Sequence, residues 1–139
     1  MFLIGVPLLV VPFALYNMIA FLTPGLSWTQ SIVSIPMMSG ASWTLAPGDL
    51  LIAFSVLLLF VEMLKSTRLS SRAIVDHLLS TMLFVVMLIE FLLVQRAATG
   101  TFFLLLMISF VDVVGGFTIT IRTAQRDITV EGAEKIQTM

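Results

Sequence analysis

The chain has no cysteine, and of its 139 residues only seven are Lys or Arg and eight are Asp or Glu. The first absence excludes disulfides, thiolate metal centres and thiol nucleophiles, and leaves the compartment open. The second excludes a water-soluble globule, because charged residues make up 11% of the chain against about 25% in soluble domains. A net charge of −1 offers no basic footprint, so nucleic acid is not expected as a partner. The single histidine cannot supply bis-histidine haem ligation. No HExxH, P-loop or GxSxG is present, so no catalytic residue and no cofactor is predicted. The basic residues nearest the apolar runs do not recur every third position, which excludes a voltage sensor.

What is abundant is apolar. Hydrophobic residues make up 59% of the chain, with eleven Phe and nine Met, and the mean hydropathy is +1.12. This is the composition of an integral membrane protein. A spanning helix needs about 17–25 apolar residues, and four runs qualify, at 2–22, 48–64, 73–94 and 101–121. The expected fold is an all-α, four-transmembrane-helix bundle in one domain over 1–127, followed by a polar tail, 128–139. The first run has no basic leader or small-residue cleavage site, so it reads as a span rather than a signal peptide.

Basic residues set the expected orientation. Lys65, Arg68 and Arg72 lie between the second and third runs, and Arg122, Arg126 and Lys135 follow the fourth. Only Arg96 lies on the other side. Both termini are therefore expected inside, as in a multi-pass protein of a bacterial inner membrane. The uncharged stretch 23–47 carries SWT twice, at 27–29 and 42–44, around a β-branched segment with a Ser-Gly turn signal. It reads as a short hairpin capping the outer face, with Trp28 and Trp43 as interface anchors. The alternative is a re-entrant loop, permitted only where protein or water satisfies its backbone. The tail reads as frayed beyond one further helical turn.

Helical spacing gathers the polar residues into stripes. Leu51, Ser55, Leu58 and Glu62 share one face of the second span; Asp76, Ser80, Leu83, Met87 and Glu90 share one face of the third. On the fourth, Leu105, Ile108, Ser109, Asp112, Gly115, Gly116 and Ile119 do the same. Membrane bundles turn such faces inward, because lipid gives no drive to bury leucine. At about 1.5 Å per residue, Asp112 lies about 15 Å inside Arg122, near the midplane. Ser55, Thr81 and a Leu8 carbonyl released by Pro12 are expected at the same level.

Two readings of Asp112 stand side by side. In one it is a protonated acid that donates a hydrogen bond to Ser55, Thr81 or the freed carbonyl and fixes helix register. In the other it binds a cation or relays a proton, with Ser55, Ser80 and Thr81 along the path and Glu62 and Glu90 near the two mouths. Glu90 is expected to pair with Arg96 at the interface. Glu62, Asp76 and His77 form a weak candidate metal set, of suitable ligand type but without a motif spacing. Gly115 and Gly116 are expected to allow close helix packing.

The phrases SGASWTLAPGDLLIAFSVLLLFVEMLKSTR, DHLLSTMLFVVMLIEFLL and FVDVVGGFTITIRTAQRD resemble small uncharacterised four-span bacterial inner-membrane proteins. The resemblance covers residues 39–127 and implies localisation and fold, with no activity attached. The expected function is accordingly that of a non-catalytic membrane protein. It would act as a homo-oligomer or as an accessory or scaffold subunit of a larger membrane complex, with the lipid bilayer as its surroundings. The alternative is a small cation or proton pathway through Asp112. A third reading is lipid or quinone binding beside the first span, where Pro7 and Pro12 loosen the packing.

Overall fold

A proline early in a helix costs nothing, because its missing N–H is one of the four that have no intrahelical partner anyway. This shapes the first helix. The computed structural model describes residues 6–67 and 71–137, and in it α1 runs from Val10 to Leu22 with Pro12 in its first turn. Val10 and Val11 donate to the carbonyls of Pro7 and Leu8 at 3.1 and 3.0 Å, so the helix enters through tight turns. Of the expected span 2–22, the described part is helical only over the 13 residues Val10–Leu22, and residues 2–5 lie outside the described ones. The carbonyl of Leu8 is not free, as it accepts the amide of Val11.

A two-stranded antiparallel hairpin follows, β1 Val33–Pro36 with β2 Ser42–Leu45, in the register Val33 to Leu45 and Pro36 to Ser42. Gly40 takes a φ of +91°, a left-handed conformation that suits glycine, and closes the turn through its amide to the carbonyl of Met37 at 3.0 Å. The expected hairpin thus forms, with the second SWT copy in β2.

Helix α2, Pro47–Lys65, starts on Pro47 with Asp49 reaching back to the Ala46 amide at 3.0 Å. The acid at its start and Lys65 at its end both complement the helix dipole. Helix α3 spans Ser71–Leu93, and a short 3-10 turn, Gln95–Ala97, leads into α4, Gly100–Gln137. Among the described residues three helical segments are long and apolar enough to cross a membrane: Pro47–Lys65, Ile74–Leu93 and Gly100–Arg122. Helix α4 continues without interruption far past its apolar part, which corrects the expectation of a frayed tail. The chain has no proline after Pro47, and Ala, Glu, Lys and Gln recur through residues 124–137, so polarity there does not mean loss of helix.

Helix α4 is the centre of the bundle, with α2 packed along one side and α3 along the other, while α1 lies across α2, α4 and the 3-10 turn. The buried faces are those given by the spacing: Leu51, Ser55 and Glu62 on α2; Ser80, Leu83 and Met87 on α3; Leu105, Ile108, Ser109, Asp112 and Gly116 on α4. The apolar core gathers at the hairpin end around Phe102, which is fully buried. Tyr16 meets Phe102 edge-on at 4.9 Å and stacks on Trp28 at 4.6 Å, and Phe91 stacks on Phe102 at 6.1 Å. Such contacts add to plain packing, which is the main attraction between helices in lipid. Trp28 is therefore turned onto the bundle and is not a free interface anchor, whereas Trp43 is 45% exposed. Gly48 brings the start of α2 against α4: its amide donates to the Trp28 carbonyl at 3.0 Å, and a Cβ there would meet Thr101 Oγ1 at 2.5 Å.

Candidate functional site

At the opposite end of the bundle from the hairpin, the end of α2, the start of α3 and the middle of α4 bring charged side chains together. Glu62 and Lys65 lie one turn apart on α2, with Lys65 Nζ 3.1 Å from Glu62 Oε1. The same oxygen accepts the backbone amide of Leu8 at 2.6 Å, and Lys65 also donates to the Val6 carbonyl at 3.1 Å. This pair therefore anchors the entry to α1 onto α2. Lys65 Nζ lies 3.8 Å from Asp76 Oδ2, so one ammonium serves two carboxylates.

Asp76 and His77 open the apolar part of α3. His77 Nε2 is 3.1 Å from Thr120 Oγ1, and Thr120 Oγ1 donates to the Ser66 carbonyl at 3.2 Å. The threonine hydroxyl has one proton, already given to a carbonyl, so His77 carries its proton on Nε2 and donates. Gly116 makes room for this contact, since a Cβ there would lie 2.8 Å from Ser66 Oγ and 2.9 Å from His77 Cε1. Gly115 packs against the methyl of Met63 in the same way.

Asp112 enters from α4. It is 4% exposed, its carboxyl meets the Ser80 hydroxyl, and it feels the charges of Glu62, Lys65 and Asp76. Among the described residues its Oδ2 is buried with no hydrogen-bond partner, as is Oδ1 of Asp76. A cavity of about 10 Å³ lies between Glu62, Lys65, Asp76, His77, Ser80 and Asp112. That is about the space of one water molecule. The arrangement suits a proton or a single water and has no room for an organic substrate.

The residues singled out in the sequence separate into two groups. Glu62, Asp76, His77, Ser80 and Asp112 converge. Ser55 and Thr81 do not join them, which corrects the expected midplane layer: Ser55 donates to the Leu51 carbonyl of its own helix at 2.7 Å. Thr81 donates to the His77 carbonyl at 2.8 Å and faces outward. The reason is rotational, since Thr81 lies about 100° around the helix from Ser80. Glu90 lies at the hairpin end, where it accepts the Asn17 amide at 3.3 Å. It is not paired with Arg96, whose guanidinium donates to the Ala20 carbonyl at 2.7 Å and lies 5.5 Å from the Phe21 ring centre. Buried Leu83, Met87, Leu105 and Phe102 separate Glu90 from Asp112, so the stripe on α3 is inward-facing but not polar throughout. Among the described residues no group of three His, Asp or Glu side chains is placed to hold a metal ion. Lys65 takes the central position between Glu62 and Asp76. Arg68, and the side chains of Arg72 and Lys135, lie outside the described residues.

The spacing of three between Glu62 and Lys65 reads as a local pair, and the structure has it; the contact of Lys65 with Asp76 and the following groups have no such signal. Tyr16, the one tyrosine, donates to the Arg96 carbonyl at 2.8 Å and contacts the Thr99 hydroxyl at 2.7 Å; Asn17 beside it completes a polar pair in an otherwise apolar run. The backbone groups of Val6 and Leu8 leave no side-chain signal at all. In comparisons with protein-family models, with curated proteins and with solved structures, nothing matches this chain.

Proposed function

We propose that the chain is a four-span protein of a bacterial inner membrane, with both termini on the cytoplasmic side, and that it is a non-catalytic proton-binding module in which Asp112 takes up and releases the proton. The orientation is supported by the basic residues, of which, among the described residues, only Arg96 lies at the hairpin end. The proton reading rests on one observation: Asp112 Oδ2 is buried without a partner, while the nearby ammonium of Lys65 is already committed to Glu62 and Asp76. A lone carboxylate in a low-dielectric interior is neutralised far more cheaply by a proton than it is carried charged. Lys65 also repels a divalent cation from the place where one would sit, which favours a proton over a metal ion. A single water in the cavity would connect Asp112 to Asp76 and His77. In one copy the path ends at Leu83 and Met87, so release on the other face requires a movement of α4 or a second copy.

A second reading, assembly as a homo-oligomer or as an accessory subunit of a larger complex, is favoured by α3. The chain itself covers only 17% of that helix's apolar window, against 39% for α4. Two substitutions separate the readings in reconstituted vesicles. Under the proton reading, Asp112→Asn abolishes proton uptake and leaves the assembled mass unchanged. Uptake equal to wild type in Asp112→Asn would overturn it. Under the assembly reading, Asp112→Leu lowers the assembled mass and Asp112→Asn does not.

A further inference from the structure

Two adjoining cavities at the hairpin end are not used by the proton reading. The first, about 230 Å³, lies between the end of α1 and the α3–α4 connection, where Thr23, Trp28, Arg96 and Thr99 line it. Arg96 spends one nitrogen on the Ala20 carbonyl and lies with its side chain exposed at this cavity. The second, about 320 Å³, is an apolar groove between α1 and α2, lined by Leu15, Leu50, Leu51 and Phe54. The two share Ile19 and Trp28 as a common wall. One cationic, hydroxyl-bearing cavity therefore adjoins one apolar groove running along a helix.

We infer that this paired cleft binds one anionic diacyl phospholipid, its phosphate at Arg96 and one acyl chain along Ile19, Leu15 and Phe54. Charge complementarity selects the head: among the described residues Arg96 is the only basic one at this end, and a guanidinium recognises a phosphate through paired hydrogen bonds. Depth selects the tail, because the groove begins beside Trp28 and continues toward the middle of α1 and α2. α1 packs against α2 far more loosely than α2 packs against α4, which leaves that groove open. This inference stands apart from the proton reading and survives its failure.

The test uses the full chain purified in detergent and native mass spectrometry with phosphatidylglycerol or phosphatidylcholine of equal chain length. The wild-type chain is expected to retain phosphatidylglycerol in preference by about fivefold, the ratio one basic residue confers at an anionic surface. Arg96→Gln is expected to abolish the preference and Arg96→Lys to keep most of it. Ile19→Trp, which fills the place where the cavities meet, is expected to lower retention of both lipids with the helical content unchanged. Equal retention of the two lipids by wild type overturns the inference, as does a preference that survives Arg96→Gln. Displacement of the lipid by inorganic phosphate alone overturns it too, since the site would then take a free anion.

Discussion

At the hairpin end Tyr16, Trp28, Phe91 and Phe102 interlock with hardly a formal charge among them, while at the other end Glu62, Lys65, Asp76, His77 and Asp112 share a space the size of one water. The first arrangement is specified by shape, and its parts are exchangeable for others of similar volume. The second is specified by charge count, and removing one member leaves the others without compensation. Both occur along the same α4, whose half toward the hairpin presents Phe102 and Leu105 and whose other half presents Asp112 and Gly116. The comparison teaches that α4 divides its labour: packing holds the bundle together at one end and permits a costly polar cluster at the other.

The largest effect is expected from Lys65→Met. It strips Glu62 and Asp76 of their shared cation and should cost about 3–5 kcal/mol of unfolding free energy, measured by denaturant titration in mixed micelles. Adding Glu62→Gln to that variant should recover part of the loss, and no recovery would show that the cost lies in packing. Phe102→Ala should cost about 3 kcal/mol through the cavity it leaves, with no partner substitution able to restore it. Gly48→Ala comes next, at about 1–3 kcal/mol, because its Cβ meets both Thr101 and the Trp28 carbonyl and forces α2 from α4. Trp43→Ala should be smallest, within about 0.5 kcal/mol, as that ring lies exposed on the hairpin. A loss at Trp43 as large as that at Phe102 would mean that the hairpin, rather than the aromatic core, closes this end.

Periodicity made most of the fold legible. A stripe repeated at three and four residues has only one face to bury, so the inward sides of α2, α3 and α4 followed from their small and polar residues. The apolar run from residue 48 marked the start of α2 to within one residue, and a Ser-Gly turn between β-branched residues marked the hairpin. The first helix was misjudged because Pro12 reads equally as a kink within a long helix or as the first turn of a short one. Only the turns at Pro7 and Leu8 decide between them. The midplane layer of Ser55, Thr81 and Asp112 failed because depth along a helix says nothing of rotation about it. The site was legible as separate acids on separate helices. What drew them together was a lysine between them and two backbone groups ahead of α1, and backbone groups are identical for every sequence.

The central claim is that Asp112 holds an exchangeable proton. Infrared difference spectroscopy on the chain in bilayers, recorded across a pH jump, addresses it directly by following the carbonyl stretch of a protonated carboxylic acid. The account predicts a band of this kind in the wild-type chain that changes with the jump, disappears in Asp112→Asn and persists in Glu90→Gln. A spectrum without such a band, or one that Asp112→Asn leaves unaltered, would contradict it.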